Sequence, residues 1–282
     1  MYLLFVDANL IKVAGAKHHG TRTGRLLSVK SHSEALRKTM VFDRRYIANE
    51  PTFKRHAYAA LKSRFPDEAA FEDFYASLDT PQLKDQFLHA ATFYLFLAKQ
   101  GEWHVTVEGS APVVDYLSTS FKVVALFALI ESLSDEQHQD FYDWLVSSRD
   151  PDTTFPIGDS AALTKLYQGY KESYGSIRRC VAFFNRLPTE RQQALCSSIK
   201  VDKKSLASIK KVAEFLYNLR SKFIHEARFV LSLVGHTALS MDGEKVVEVD
   251  LSVETLLDTF EEGLLAYFAD RRSAARPGKI PV

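Results

Sequence analysis

In the stretch Tyr217 to His225, which reads YNLRSKFIH, an arginine and a histidine stand five positions apart at Arg220 and His225. Together they are a minimal set for metal-free cleavage of RNA. In that reaction the 2′-hydroxyl must lose a proton, the leaving 5′-oxygen must gain one, and the phosphorane charge must be stabilised. An imidazole titrating near ~6.5 can act as base or acid. A guanidinium grips phosphate bidentately and matches the developing charge. One histidine does not readily serve as acid and base at once, so two subunits with their motifs face to face would complete the site. The bland reading of the same residues is a surface cation and a satisfied core histidine.

The element that must position them is a helix predicted over 205–235. At ~100° per residue, Leu206, Ile209, Val212, Ala213, Leu216, Leu219, Phe223, Ala227, Val230 and Val234 form one apolar stripe. Arg220 follows Leu216 by four and sits on the stripe's edge. His225 lies ~140° round the helix from Arg220 and ~7.5 Å along it. Phe215 and Phe229 lie off the stripe, towards the histidine. A helix apolar on two sides is central in its domain or shared with a second subunit, so His225 is expected to look into a cleft or a dimer interface.

The rest of the chain is that of an ordinary globular protein: 282 residues, 46% hydrophobic and 25% charged, with a net charge of +1. The charge is uneven. Residues 1–66 carry thirteen Lys or Arg against four acids, so this segment is +9 and the remainder −8. A basic segment attracts polyanions by releasing their counterions, although a solvated basic face has the same composition. A second basic stretch, Lys200 to Arg228, contains the motif; Lys222 and Arg228 read either as phosphate contacts or as that face. No apolar run approaches the ~20 residues of a membrane span. The start MYLLFVDANLIKV lacks the basic region of a secretory signal. Two cysteines, Cys180 and Cys196, make no CxxC and no disulfide framework, and they point to a cytoplasmic location as buried thiols. No glycine-rich phosphate loop and no GxSxG elbow occurs. The histidines outside the motif define no metal-ligand pattern, so neither metal nor cofactor is expected. FVDAN at Phe5 to Asn9 is similar to the first strand of PIN-domain nucleases, but no βαβ series follows it.

Periodicity predicts a mainly α protein with a small α+β amino-terminal region. Strands are expected at 2–8, 25–31 and 103–109. Helices are expected at 51–65, 66–78, 80–101, 112–133, 134–148 (with Ser134 as its cap), 162–187 (interrupted at Gly175), 188–199, 205–235 and 253–271. Residues 150–160 read as a loop. Asp242-Gly243 between two strand-like runs signals a β-hairpin. The chain thus divides into a region 1–110 for selection of substrate or trigger, a helical domain 111–271 and a tail 272–282.

R-x4-H at Arg220 to His225, set in LYNLRSKFIHEA, resembles the HEPN superfamily and looks most like its Apea-like branch. FKVVALFALIESL, YGSIRR at Tyr174 to Arg179 and RLPTERQQAL at Arg186 to Leu195 extend the resemblance over roughly residues 112–270. It implies a HEPN-like helical bundle that dimerises through the motif region. The implied activity is that of an endoribonuclease in antiviral defence or a toxin–antitoxin system. RNA would be the substrate, and an antitoxin or another defence-system protein a partner. Arg220 would hold the phosphate, His225 would be the acid–base residue, and Ser221, Lys222 and Arg228 would line the substrate. Glu131 would orient one of the pair, whereas its own sequence context reads as a solvated helix carboxylate. Two positions depart from the family: Ser221 stands where many active members have Asn, Asp or His, and Ala227 where some toxins have a modifiable Tyr. The rival reading is a non-catalytic HEPN-fold scaffold that binds nucleic acid or nucleotide.

Overall fold

The computed structural model of the protein describes residues 51–104, 106, 108–109, 111–133, 141–147, 159–227, 233, 237–242 and 244–274. The strands expected at 2–8 and 25–31, the Ser134 cap and most of the 150–160 loop lie outside these residues. Among the described residues, ten α-helices and one small antiparallel sheet make a mainly α architecture, as periodicity predicts.

Helix α1 (Pro51–Leu61) opens on a proline, whose missing N–H costs nothing in a first turn. Helix α2 (Glu68–Ala76) is capped by Asp67, which accepts the Ala70 N–H at 2.8 Å. Helix α3 (Pro81–Tyr94) is capped by Thr80 and widens into a π-type turn over Leu95–Lys99. Helices α4 (Ala111–Ser132), α5 (Phe141–Ser147) and α6 (Ser160–Tyr174) follow. Gly175 separates α6 from α7 (Ser176–Phe184), the break predicted there. A Cβ on Gly175 would lie 2.3 Å from the Lys171 carbonyl oxygen, so the close turn admits only glycine.

Helix α8 (Thr189–Ser198) leads into two strands that periodicity does not reveal, β1 (Ile199–Val201) and β2 (Lys204–Ser205). Asp202 and Lys203 join them with positive φ angles of 49° and 66°. The motif helix, α9 (Ile209–Glu226), is shorter at both ends than its expected span. Ser208 caps it by accepting the Lys211 N–H. At the other end Ala227 turns left-handed, with φ 52°, and its N–H returns to the Phe223 carbonyl, which stops the helix. Strands β3 (Ala238–Asp242) and β4 (Lys245–Val249) form the hairpin that Asp242-Gly243 signals, with Asp242 opposite Lys245. The sheet order is β2-β1-β4-β3, with Ile199 paired to Val249. Helix α10 (Val253–Ala274) ends the described chain. The strand expected at 103–109 does not form among the described residues. Trp103 has no strand beside it there and instead stacks on Phe121 of α4 at 4.2 Å.

The buried side chains from Ala57 to Ala98 and from Val123 to Phe268 make one continuous core. Helix α10 crosses α7 so closely that a Cβ on Gly263 would come within 2.4 Å of the Phe183 ring. One carboxylate ties the first helices to the last. Glu261 of α10 is 2% exposed. It accepts hydrogen bonds from Tyr94 Oη at 2.7 Å, Lys99 Nζ at 2.8 Å, Arg64 Nε at 2.8 Å and Ser63 Oγ at 3.2 Å. Burial pushes its carboxyl up, but the bonds from Lys99, Tyr94 and Arg64 together outweigh burial and hold it below the usual carboxylate range. Beside it, Glu262 takes a bidentate grip from Arg191, at 2.9 and 2.6 Å.

Glu261→Gln should cost about 3 kcal/mol in denaturant unfolding at neutral pH, because it takes the buried anion away from the partly buried Lys99 and Arg64, of which Arg64 keeps Asp258 and Glu262. The folded carboxyl titrates below its unfolded value of 4.5, so its stabilisation is present above that value and is lost as pH falls through the folded one. The wild type's advantage over the variant should therefore shrink on acidification. An advantage that stays constant into strong acid would contradict the assignment.

Candidate functional site

Helices α4, α7 and α9 pack against one another and bring distant residues together. On α9, Ile209, Val212, Ala213 and Leu216 are buried, and Leu219 and Phe223 are packed on the core, as the helical period places them. Arg220 sits at the edge of this face with its side chain 17% exposed. It turns towards α4. Its Nη2 lies 3.5 Å from Oε1 of Glu131, and its Nη1 donates to the Tyr217 hydroxyl at 3.4 Å. The guanidinium also lies over the Tyr217 ring, 5.3 Å from its centre. Phe127 of α4 holds that ring edge-on at 6.1 Å. From α7, Arg179 donates through Nη1 to the backbone carbonyl of Glu131 at 3.4 Å.

Glu131 is therefore not the solvated carboxylate that its sequence context suggests. Its side chain is 23% exposed, and its Oε1 is buried without a hydrogen bond. Burial pushes its carboxyl above the usual range, and the charges of Arg220 and Arg179 oppose that shift without cancelling it. Cys180, next to Arg179, is fully buried. Burial first, and then the Glu131 charge, push its thiol up, so it is a small core residue and not a nucleophile.

His225 is exposed in the last turn of α9. Among the described residues it has no hydrogen-bond or ion-pair partner. The arm of Arg220 does not sweep round to it but is taken up by Glu131, so in one protomer the two residues face different ways. Ser221 and Lys222 are half-buried between them. Arg228 and Phe229 lie outside the described residues. Phe215 packs on the core of its own chain. Beyond Phe223 the aromatic contacts continue outwards, edge-on to Phe121 at 5.2 Å and from there to Trp103, which is 50% exposed.

Two members of this cluster, Tyr217 and Arg179, are not among the sequence-predicted site residues. Tyr217 carried a signal, since it precedes Arg220 by three and so shares its face. Arg179 carried none, because its approach to Glu131 depends on how α7 packs on α4. Among the described residues no three His, Cys, Asp or Glu side chains are arranged to hold a metal ion, and no helix is long and apolar enough to cross a membrane. No family model, curated protein or solved structure matches the chain.

The position of Glu131 has a pH signature. Its folded carboxyl titrates above the unfolded value of 4.5, so the fold favours the protonated form. Relative to Glu131→Gln, the wild type should be most stable below 4.5 and should lose that stability as pH rises through the folded value. Paired denaturant titrations from about pH 4 to 8 read this directly. A wild-type advantage that grows with pH would show that the arginines, not burial, dominate.

Proposed function

We propose that the protein is a metal-independent endoribonuclease that cuts RNA by attack of the 2′-hydroxyl. Arg220 binds the phosphate, and His225 exchanges the proton. The observation that carries this reading is the pair on α9, with His225 exposed in the final turn and Arg220 held at the helix edge against Glu131. An exposed imidazole can receive the 2′-hydroxyl proton or deliver one to the 5′-oxygen. A guanidinium held 3.5 Å from its carboxylate, without a hydrogen bond between them, keeps donors for the phosphate. Because His225 and Arg220 face different ways in one protomer, a second copy would supply the complementary group. A setting in antiviral defence or a toxin–antitoxin pair rests on the motif resemblance alone. One observation favours the non-catalytic scaffold: Arg220 is already engaged by Glu131 and Tyr217.

Cleavage should persist in EDTA and leave 2′,3′-cyclic phosphate ends, with DNA untouched. His225→Ala should lower the rate by at least ~100-fold while the fold survives, since methyl has no proton to exchange. Arg220→Lys should also be damaging, because an ammonium lacks the planar fork. Equal cutting by wild type and His225→Ala would place the activity elsewhere, and no cutting by either across several RNA sequences and salts would favour the scaffold. A composite site further requires association at micromolar concentration. Sedimentation that finds only monomer would remove the two-subunit mechanism.

A further inference from the structure

Three aromatic side chains from distant parts of the sequence form a ladder that runs from the motif helix to the surface. Its innermost ring is Phe223 of α9, which packs on the core and stands three residues after Arg220 and two before His225. Phe121 of α4 meets it edge-on, with ring centres 5.2 Å apart and planes at 89°. Trp103 then lies nearly parallel on Phe121, at 4.2 Å and 23°. The backbone that delivers Trp103 leaves the π-type turn at Leu95–Lys99, which the Gln100 N–H closes on the Leu95 carbonyl at 2.9 Å. The indole is 50% exposed although Phe121 covers one of its faces. Surface aromatics that stand singly need no explanation. This one is braced by two other rings, so it presents a fixed π surface to solvent. Basic residues adjoin the ladder in sequence: Lys122 follows Phe121 and Lys222 precedes Phe223, each half-buried. Beside Trp103, the exposed Glu102 and His104 lie 3.8 Å apart.

We propose that Trp103 is a stacking platform for one nucleobase of a single-stranded RNA whose backbone is handled by Arg220 and His225. The identity of the strand rests on the nuclease reading. One braced indole face matches the flat face of a base, whereas a stable protein contact needs about 1,000 Å² or more. Stacking accepts any base, because every base has a π face, and cations along the strand serve its phosphates. Trp103 touches no reacting atom. It is a binding residue that fixes where the strand lies on the motif helix.

The test measures binding without turnover. A fully 2′-O-methylated RNA oligonucleotide has no free 2′-hydroxyl to attack with; it is titrated by anisotropy in EDTA beside a fully abasic strand of the same length. Trp103→Ala should weaken the base-bearing strand by roughly tenfold, the worth of one base stack. Trp103→Phe should restore most of that loss. The abasic strand should bind wild type and Trp103→Ala alike, since base and indole are one interaction. The log–log salt slope should stay that of the wild type, because a stacked base releases no counterion. Equal affinity of wild type and Trp103→Ala for the base-bearing strand, or an equal loss on both strands, would overturn the proposal. A wild type that binds no strand would overturn it too. If Trp103→Ala instead dissociates a dimer in sedimentation while strand affinity holds, the indole serves a contact between subunits and the platform falls. If the wild type shows the base-dependent loss yet leaves unmodified RNA intact, the platform stands and the nuclease reading falls. If RNA is cut and Trp103→Ala binds and cuts as the wild type does, the reverse holds.

Discussion

The buried carboxylate of Glu261 is the constraint on which the rest of the molecule depends. It sits on the last helix and is held by Ser63, Arg64, Tyr94 and Lys99, all from the first described helices and turns. A charge removed from water is tolerated only when its lone pairs are filled, and here four donors fill them. The cost of misplacing any of these elements is therefore steep. With α10 fixed in this way, Gly263 lets it press on Phe183 of α7, and α7 in turn packs on α4 and α9. The position of Arg220 follows from that chain of contacts.

Glu131 is the opposite case in the same chain. It too is a half-hidden glutamate near arginines, but its side-chain oxygen Oε1 receives no hydrogen bond. Burial drives its carboxyl above the ordinary range, whereas the donors around Glu261 drive that one below it. The difference lies in hydrogen-bond geometry, not in the nearness of charge. A filled site such as Glu261 stabilises a fold. An unfilled one such as Glu131 leaves a buried carboxylate oxygen without a donor at a three-helix junction.

Local pattern reached most of the helices and the hairpin. The helices that follow Asp67 and Thr80 start within two residues of the expected 66 and 80, and Gly175 breaks a long periodic stretch where a Cβ would strike the Lys171 carbonyl, whereas the motif helix starts after Ser208 and not at the expected 205. The motif helix ended early because Ala227 turned left-handed, a conformation that an alanine does not advertise. Strands β1 and β2 were invisible because they are three and two residues long and exist only by pairing with each other and with β4. Val105 and Val107, on which the expected strand at 103–109 depended, lie outside the described residues. Its first residues instead lead to Trp103 stacked on Phe121.

For the candidate site, the sequence by itself determined that Arg220 and His225 share one helix, five residues and ~140° apart, and that Arg220 lies at the edge of the apolar face. Those are consequences of a fixed helical period. Only the tertiary structure decided that Arg220 turns to Glu131 and away from His225, and that Glu131 is desolvated. The packing of α7 brought Arg179, with no local signal of its own, to the backbone carbonyl of the same residue. Side-chain direction and dielectric surroundings are set by neighbours up to ninety residues away along the chain, and a period of 3.6 residues carries no information about which helices those neighbours come from.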